Sequence, residues 1–315
     1  MMTLAIAAAT LAACGGGGDD DKEARKGPVK QTSTTAPANP AAGGGPLTGL
    51  PIEAARAGRP ALIVKIDNAP KGRPQAGINQ ADVVVEELVE GGITRFATIF
   101  HSQEPDSVGP VRSARTTDII IASALNKPLF AYSGANATFQ AEVNKAPLVD
   151  VGAGAFPADF RREPGRPQTY NLFTSTSKLF AHVPPGAGPP PSLFRYRAEG
   201  SPATGAGITP AAGVSIEYKA NVRTAVDWTW DAGSGTWKRV QNGTPHVDAA
   251  DAQVAPRNVV VQFVTYRDTG QKDRSGTSVP EAELVGEGDA WVFTDGKVVK
   301  GRWKKASLTA VTEYL

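Results

Sequence analysis

One short apolar run decides how much of this chain is available to build a core. Residues 4–13 are apolar apart from a single threonine, and the run closes in Leu11-Ala12-Ala13-Cys14. At ten residues it is far below the ~20 needed to span a bilayer as a helix. A run of that length near a chain start reads as the apolar region of a secretory leader. Its last four residues fit a lipobox, in which small side chains let the backbone lie extended in a peptidase groove ahead of an acylated cysteine. The expectation is a signal peptide over residues 1–14, lipidation at Cys14, and cleavage that leaves Cys14 as the new N-terminus. More than one acyl chain on that residue anchors a protein stably, where a single chain would not. Met1-Met2-Thr3 carries no Lys or Arg, so a start codon further upstream is expected. Cys14 is the only cysteine in 315 residues, which leaves no disulfide framework and no thiolate metal site.

Residues 15–45 are Gly, Asp, Lys, Ser, Thr, Pro and Ala with almost no large apolar side chain. Such a segment buries too little surface to offset its ordering entropy. It is expected to be a disordered tether holding the folded part off a membrane. The core must therefore come from residues 46–315. The chain is 41% hydrophobic and 20% charged, enough for an ordinary globular interior. The length predicts two domains, over residues 46–200 and 201–315. Net charge is +2 without a basic block, whereas a nucleic-acid surface shows clustered Lys and Arg; nucleic acid is set aside as a partner.

Residues 61–67 form a β-branched apolar run stopped by Asn68-Ala69-Pro70, which predicts a largely buried strand. Residues 81–90 and 94–101 predict two more, joined through Gly91-Gly92 as a hairpin. Residues 116–125 carry a helical apolar stripe that Pro128 ends. Residues 129–132 predict a short strand, and 137–145 and 175–182 short helices. Residues 183–213, rich in Pro and Gly, read mainly as linker or surface loop. Strands are predicted at 216–218, 223–230, 236–241, 259–266, 290–294 and 297–303, the last two joined by Asp295-Gly296, a strong hairpin turn. The fold class is α+β, with an N-terminal mixed α/β sandwich-like domain followed by a smaller, mostly antiparallel β domain.

Four segments carry a resemblance. They are Glu87-Leu88-Val89-Glu90-Gly91-Gly92-Ile93-Thr94-Arg95, Gly109-Pro110-Val111-Arg112-Ser113-Ala114-Arg115, Asn258-Val259-Val260-Val261, and Thr294-Asp295-Gly296-Lys297 with Trp303-Lys304-Lys305. With them, residues 46–315 resemble the YerB-like lipoproteins, a bacterial family defined by a domain of unknown function with an N-terminal and a smaller C-terminal part. The resemblance implies the fold, the domain division and an envelope location, and it implies no activity. Members usually carry Pro-His-Asn where this chain has Thr169-Tyr170-Asn171, and they continue beyond the last hairpin, so further chain after Leu315 is expected.

The arginine element is the most pointed chemistry. A helix starting near Ser113 presents free N–H groups and a positive dipole end. Arg112 and Arg115 placed there are unfavourable unless a carboxylate or an anion accompanies them. With Ser113 and Arg95 they suit a phosphate or carboxylate ligand; equally, they suit an internal network with Asp118, three residues beyond Arg115, and with Glu87, which shares the core-facing side of its strand. His246 and Asp248, two apart in an extended stretch, project to one side as a carboxylate orienting an imidazole would; a turn held by Asp248 explains them as well. No Gly-x-Ser-x-Gly motif accompanies them. His101, His182 and His246 are scattered, so no metal site and no cofactor are expected. Trp228, Trp230 and Trp237 suit either a sugar-stacking platform or ordinary packing between sheets.

Together these features predict a membrane-anchored lipoprotein on the extracytoplasmic face. It would be a non-catalytic protein that binds a cell-wall component or an envelope protein, with the arginine element as the contact for an acidic group. Two alternatives stand beside it. One is a peptidoglycan-acting hydrolase or transferase whose players are Glu87, Arg112, Arg115 and His246, with Glu87 and Asp118 as paired carboxylates for acid–base work; the other is a small-molecule binding lipoprotein with a deep interdomain pocket.

Overall fold

A computed structural model describes residues 2–8, 44–198, 200–219, 222–273 and 276–315, without the side chains of residues 5–8 and 219. Cys14 and the tether lie outside the described residues. The N-terminal part runs β1 (Met2–Ala8), α1 (Ala54–Ala57), β2 (Leu62–Asp67), β3 (Val83–Leu88), β4 (Thr94–Phe100), α2 (Thr116–Ser123), β5 (Leu129–Ala131), α3 (Ala137–Lys145), β6 (Val149–Asp150), β7 (Phe160–Arg162), β8 (Leu172–Thr174) and α4 (Thr176–Phe180). The C-terminal part is all strand: β9 (Ile208–Pro210), β10 (Gly213–Lys219), β11 (Arg223–Asp231), β12 (Thr236–Gln241), β13 (Thr244–Pro245), β14 (Asn258–Val264), β15 (Tyr266–Lys272), β16 (Ser278–Ala282), β17 (Gly286–Thr294), β18 (Lys297–Lys305) and β19 (Glu313–Tyr314).

This is the two-domain α+β architecture that the sequence predicts, with few helices and many strands. Every residue of β2, β3 and β4 is buried, so these are central strands covered on both faces, and the charged residues they carry, Lys65, Asp67, Glu86, Glu87 and Arg95, are buried with them. Strands β3 and β4 form the expected hairpin, with Gly91 and Gly92 at φ +77° and +85° in the turn. Helix α3 is held at its start by the Asn136 side chain, which accepts from the Phe139 N–H at 2.8 Å.

The two parts do not keep separate sheets. One mixed sheet runs β19-β18-β17-β14-β1-β3-β4-β2-β5-β6, with β9 added on β18. Strand β1 joins the halves, lying parallel to β14 on one side and to β3 on the other. The first residues of the apolar run read as a leader therefore occupy the middle of this sheet. One face packs on Ala122, Leu125 and Val143 of the helical layer. The opposite face is covered by a small antiparallel sheet, β10-β11-β12-β13, whose Trp228 and Trp237 are fully buried. Trp237 stands edge-on to Phe293 of β17, with ring centroids 5.5 Å apart.

Candidate functional site

The arginine element lies extended beside the end of β2. The Arg112 N–H donates to the Lys65 carbonyl at 2.8 Å, and the Ala114 N–H to that of Gly134 at 3.1 Å. Helix α2 then begins at Thr116, and Asp118 on its first turn accepts from the Arg115 N–H at 2.7 Å. The side chains divide into a sealed cluster and one residue on its rim.

Lys65 is the centre of the sealed cluster. It is the one cation of β2, set in the apolar stretch 62–66, with no exposure to solvent. Its ammonium donates to Glu87 Oε1 and, at 2.7 Å, to Asp118 Oδ1. Both carboxylates are completely buried. Burial first, and Asp118 second, push Glu87 up to about 7 against the pull of Lys65. Asp118 has the N–H of Arg115 on its other oxygen, whereas Glu87 Oε2 has no partner among the described residues, which makes Oε2 the atom suited to hold a proton.

Glu90 collects the two buried arginines. Arg115 grips it with two nitrogens, Nε at 2.8 Å from Oε2 and Nη2 on Oε1, and Arg95 adds Nη2 at 3.3 Å. Arg95 also donates to the Ser113 carbonyl at 3.3 Å. Burial lowers both guanidinium groups from their ordinary range, opposed by the surrounding carboxylates. The structure thus gathers Arg95, Arg115, Glu87 and Asp118 into one enclosed network. Lys65 and Glu90 complete it, and neither stands out in the sequence motifs. A lone Lys inside Leu62-Ile63-Val64-Lys65-Ile66 is itself the signal, because a charge on a strand buried on both sides needs partners.

Arg112 stays on the rim. Its Nε donates to Asp67 Oδ2 at 2.6 Å, its side chain is 23% exposed, and its guanidinium carbon sits 5.5 Å from the centre of the Tyr170 ring. Asp67 is fixed in turn by the Ala69 N–H at 2.6 Å. Nη1 and Nη2 of Arg112 have no partner among the described residues. Tyr170 covers this arginine.

His246 and Asp248 go separate ways. His246 accepts at Nδ1 from Arg239 and meets Gln75 Oε1 through Nε2 at 2.7 Å. Burial, then the Arg239 and Arg73 charges, lower it to about 2, so the ring is neutral. Asp248 caps a turn through the N–H groups of Ala250 and Ala252 at 2.9 and 3.0 Å, and receives Asn79 Nδ2 at 2.8 Å. Next to them Arg239 donates to Glu86 at 2.7 Å, both sides buried. This set fastens the small sheet to the N-terminal part. His101 bonds the Arg59 carbonyl at 3.1 Å, and His182 bonds Asp159 at 2.6 Å. Among the described residues no three His, Cys, Asp or Glu side chains are grouped as metal ligands.

Away from these residues a groove of about 1050 Å³ opens along the sheet end, where Leu50, Arg195, Tyr196, Arg257 and Tyr314 line it. Arg195 and Arg257 are exposed there.

Fold and cluster together define a two-domain α+β protein whose charged motif is largely consumed by internal pairing. Models of one family match most of the chain: the N-terminal domain of the protein of unknown function DUF3048 over residues 47–185, and its C-terminal domain over residues 214–315. The chain belongs to this family. It is 28% identical over 271 residues to "Putative lipoprotein YerB" of Bacillus subtilis (strain 168), covering 83% of this chain and 78% of that protein. The crystal structure of the YerB protein from Bacillus subtilis superposes with a TM-score of 0.73 at 25% identity, covering 86% of this chain and 90% of that one.

Proposed function

We propose that this protein is a lipoprotein anchored through Cys14 on the extracytoplasmic face of the membrane, and that its folded part is a non-catalytic binding module of the cell envelope. The lipobox, the polar tether behind it and the likeness to a protein bearing a lipoprotein name support the anchor. The binding reading rests on one observation. Among the described residues, Arg112 alone of the charged residues in the motif keeps guanidinium nitrogens without a partner, while its Nε is locked by Asp67. A guanidinium oriented by one fixed bond and open on its other edge is suited to a carboxylate or phosphate of a wall polymer or partner protein. Glu87 and Asp118 are sealed from solvent and share Lys65, which disfavours the hydrolase alternative.

The test is sedimentation with purified cell-wall sacculi. The wild-type protein pellets with them, and Arg112→Lys, which keeps a cation beside the buried Asp67 but loses the open guanidinium edge, stays in the supernatant with its fold retained by circular dichroism. Release of muropeptides into the supernatant would overturn the non-catalytic reading. A second reading, small-molecule binding, is favoured by the size of the groove beside Arg195 and Arg257, which lies near the upper end for ligand sites.

A further inference from the structure

Among the described residues, strand β1 is the sole link between the two halves of the main sheet. It pairs with β14 over seven residues and with β3 over four, and β3 and β14 share no pairing with each other. Met2–Ala8 also opens the apolar run that the proposed processing at Cys14 removes. Once it is gone, backbone donors and acceptors of residues 83–86 and of β14 face an empty lane in the middle of a sheet. Neighbouring strands lie about 4.8 Å apart, so the two edges would face each other across about 9.6 Å, the width of one strand.

The lane is held open by a second contact. Strand β12 bonds the lead-in to β14 through the Trp237 N–H to Pro256 at 2.8 Å and the Arg239 N–H to Val254 at 2.9 Å. The Arg239 side chain reaches Glu86 on β3 at 2.7 Å. The Thr224 hydroxyl donates to the Gly92 carbonyl at 3.0 Å, and the Ala249 N–H to that of Gln75 at 2.8 Å. The small sheet therefore straddles the lane and fixes its two banks relative to one another.

We propose that in the processed protein this lane is a strand-binding groove, filled by an extended, uncharged segment of a partner protein running parallel to both β3 and β14. The inference rests on the reading that residues 1–13 are removed. Adding a peptide strand to exposed sheet edges is an established recognition mode, in which the backbone supplies affinity and alternate side-chain pockets supply selectivity. The chemistry of the occupant follows from the strand now seated there. At the level of Thr3 the neighbours are Val84 and Val259. Thr3 is 2% exposed and its hydroxyl has no partner among the described residues, so a small apolar side chain fits better. At the level of Leu4 the neighbours are Val85 and Val260. A cavity of about 60 Å³ remains beside Leu4, walled by Val83, Val85, Ile99, Ile120 and Phe194. Gln262 borders the same cavity, 1% exposed, with Nε2 unpaired. A larger side chain, above all an aromatic one, fills this position better than leucine. The bank residues at these two levels, Val84, Val259, Val85 and Val260, carry no charge, and Lys305, which also borders the cavity, is taken up by the Ala310 carbonyl.

The test uses the chain expressed in full and purified from membranes in detergent, with a fluorescent peptide of residues 3–8 as probe. Intact mass comes first: a chain that retains residues 1–13 overturns the processing reading and this inference with it. On a processed chain, the peptide is expected to bind saturably and to slow hydrogen exchange at residues 83–86 and across β14. The peptide carrying Leu4→Phe is expected to bind about fourfold tighter or better, the factor for one more buried methylene. Peptide carrying Ala5→Pro, which removes a backbone donor, should not bind. Amides of β3 and β14 that are already protected in a processed chain without peptide would show the lane closed by its own chain or by a second copy, overturning the inference while the anchor reading stands. Equal binding of the Ala5→Pro peptide would overturn it too.

Discussion

Replacing Glu87 with glutamine isolates the electrostatics of the buried cluster. In the folded protein Glu87 is raised from 4.5 to about 7, first by burial and then by Asp118. A carboxyl whose folded value lies above its unfolded one binds more protons folded than unfolded between the two. Its contribution is therefore fully present below about pH 4.5 and is lost as pH rises through about 7. That interval, at ~1.4 kcal/mol per pH unit, amounts to ~3 kcal/mol. His246 works in the opposite sense. It is held neutral down to about 2, so it favours the fold increasingly as pH climbs from that value toward 6.5. The two slopes oppose each other over mildly acidic pH, and the wild-type profile alone hides both. The variant separates them, because glutamine keeps the shape and the acceptor for Lys65 but does not titrate. Urea unfolding of both proteins at pH 4.5 and pH 8 is the assay. The stability difference between them is predicted to move by ~3 kcal/mol in favour of Glu87→Gln at the higher pH. A difference that is the same at both pH values would refute the assignment of a shared, partly protonated site at Glu87.

Other outcomes rest on the same geometry. Arg239→Met removes the guanidinium from Glu86 in the interface between the small sheet and β3 and should cost ~3–5 kcal/mol in urea unfolding, with only part recovered when Glu86→Leu is added, because Gln241, His246, Asn68 and Thr94 also lose partners. Gly92→Ala places a Cβ 2.1 Å from the Val222 carbonyl oxygen at φ +85° and should cost more than ~2 kcal/mol; Gly91→Ala, at φ +77° with nothing nearby, should cost only ~1 kcal/mol. The His246 ring signals in NMR should show no titration between pH 5 and 8, and a midpoint near 6.5 would mean that the ring is solvated.

Local pattern carries the strands and helices well because each element announces its own period and stop. The hairpin turn at Gly91-Gly92, the turn at Asp295-Gly296 and helix α3 all rest on residues adjacent in sequence. Which strands share a sheet is a long-range property, and local pattern does not supply it. Strands β14, β17 and β18 look like part of a self-contained β domain, yet they continue the N-terminal sheet through β1. Likewise the arginine element is recognisable as needing anions, but the choice between ligand and internal carboxylate turns on Glu90 and Lys65, whose positions depend on how β2, β3 and α2 pack. The pair His246 and Asp248 misleads for the same reason. Residues two apart on one side of an extended segment find different partners, Arg239 with Gln75 in one case and a local turn with Asn79 in the other.

The proposed attachment through Cys14 underlies both the proposed envelope role and the proposed strand-binding groove. Cells expressing the chain are fed an alkyne-tagged fatty acid, and the protein is isolated from the membrane fraction and assayed for label. Wild-type protein is predicted to carry the label on a peptide that begins at Cys14, and the Cys14→Ser variant to carry none. Unlabelled wild-type protein, or label that persists in Cys14→Ser, would contradict the anchor and the envelope role built on it.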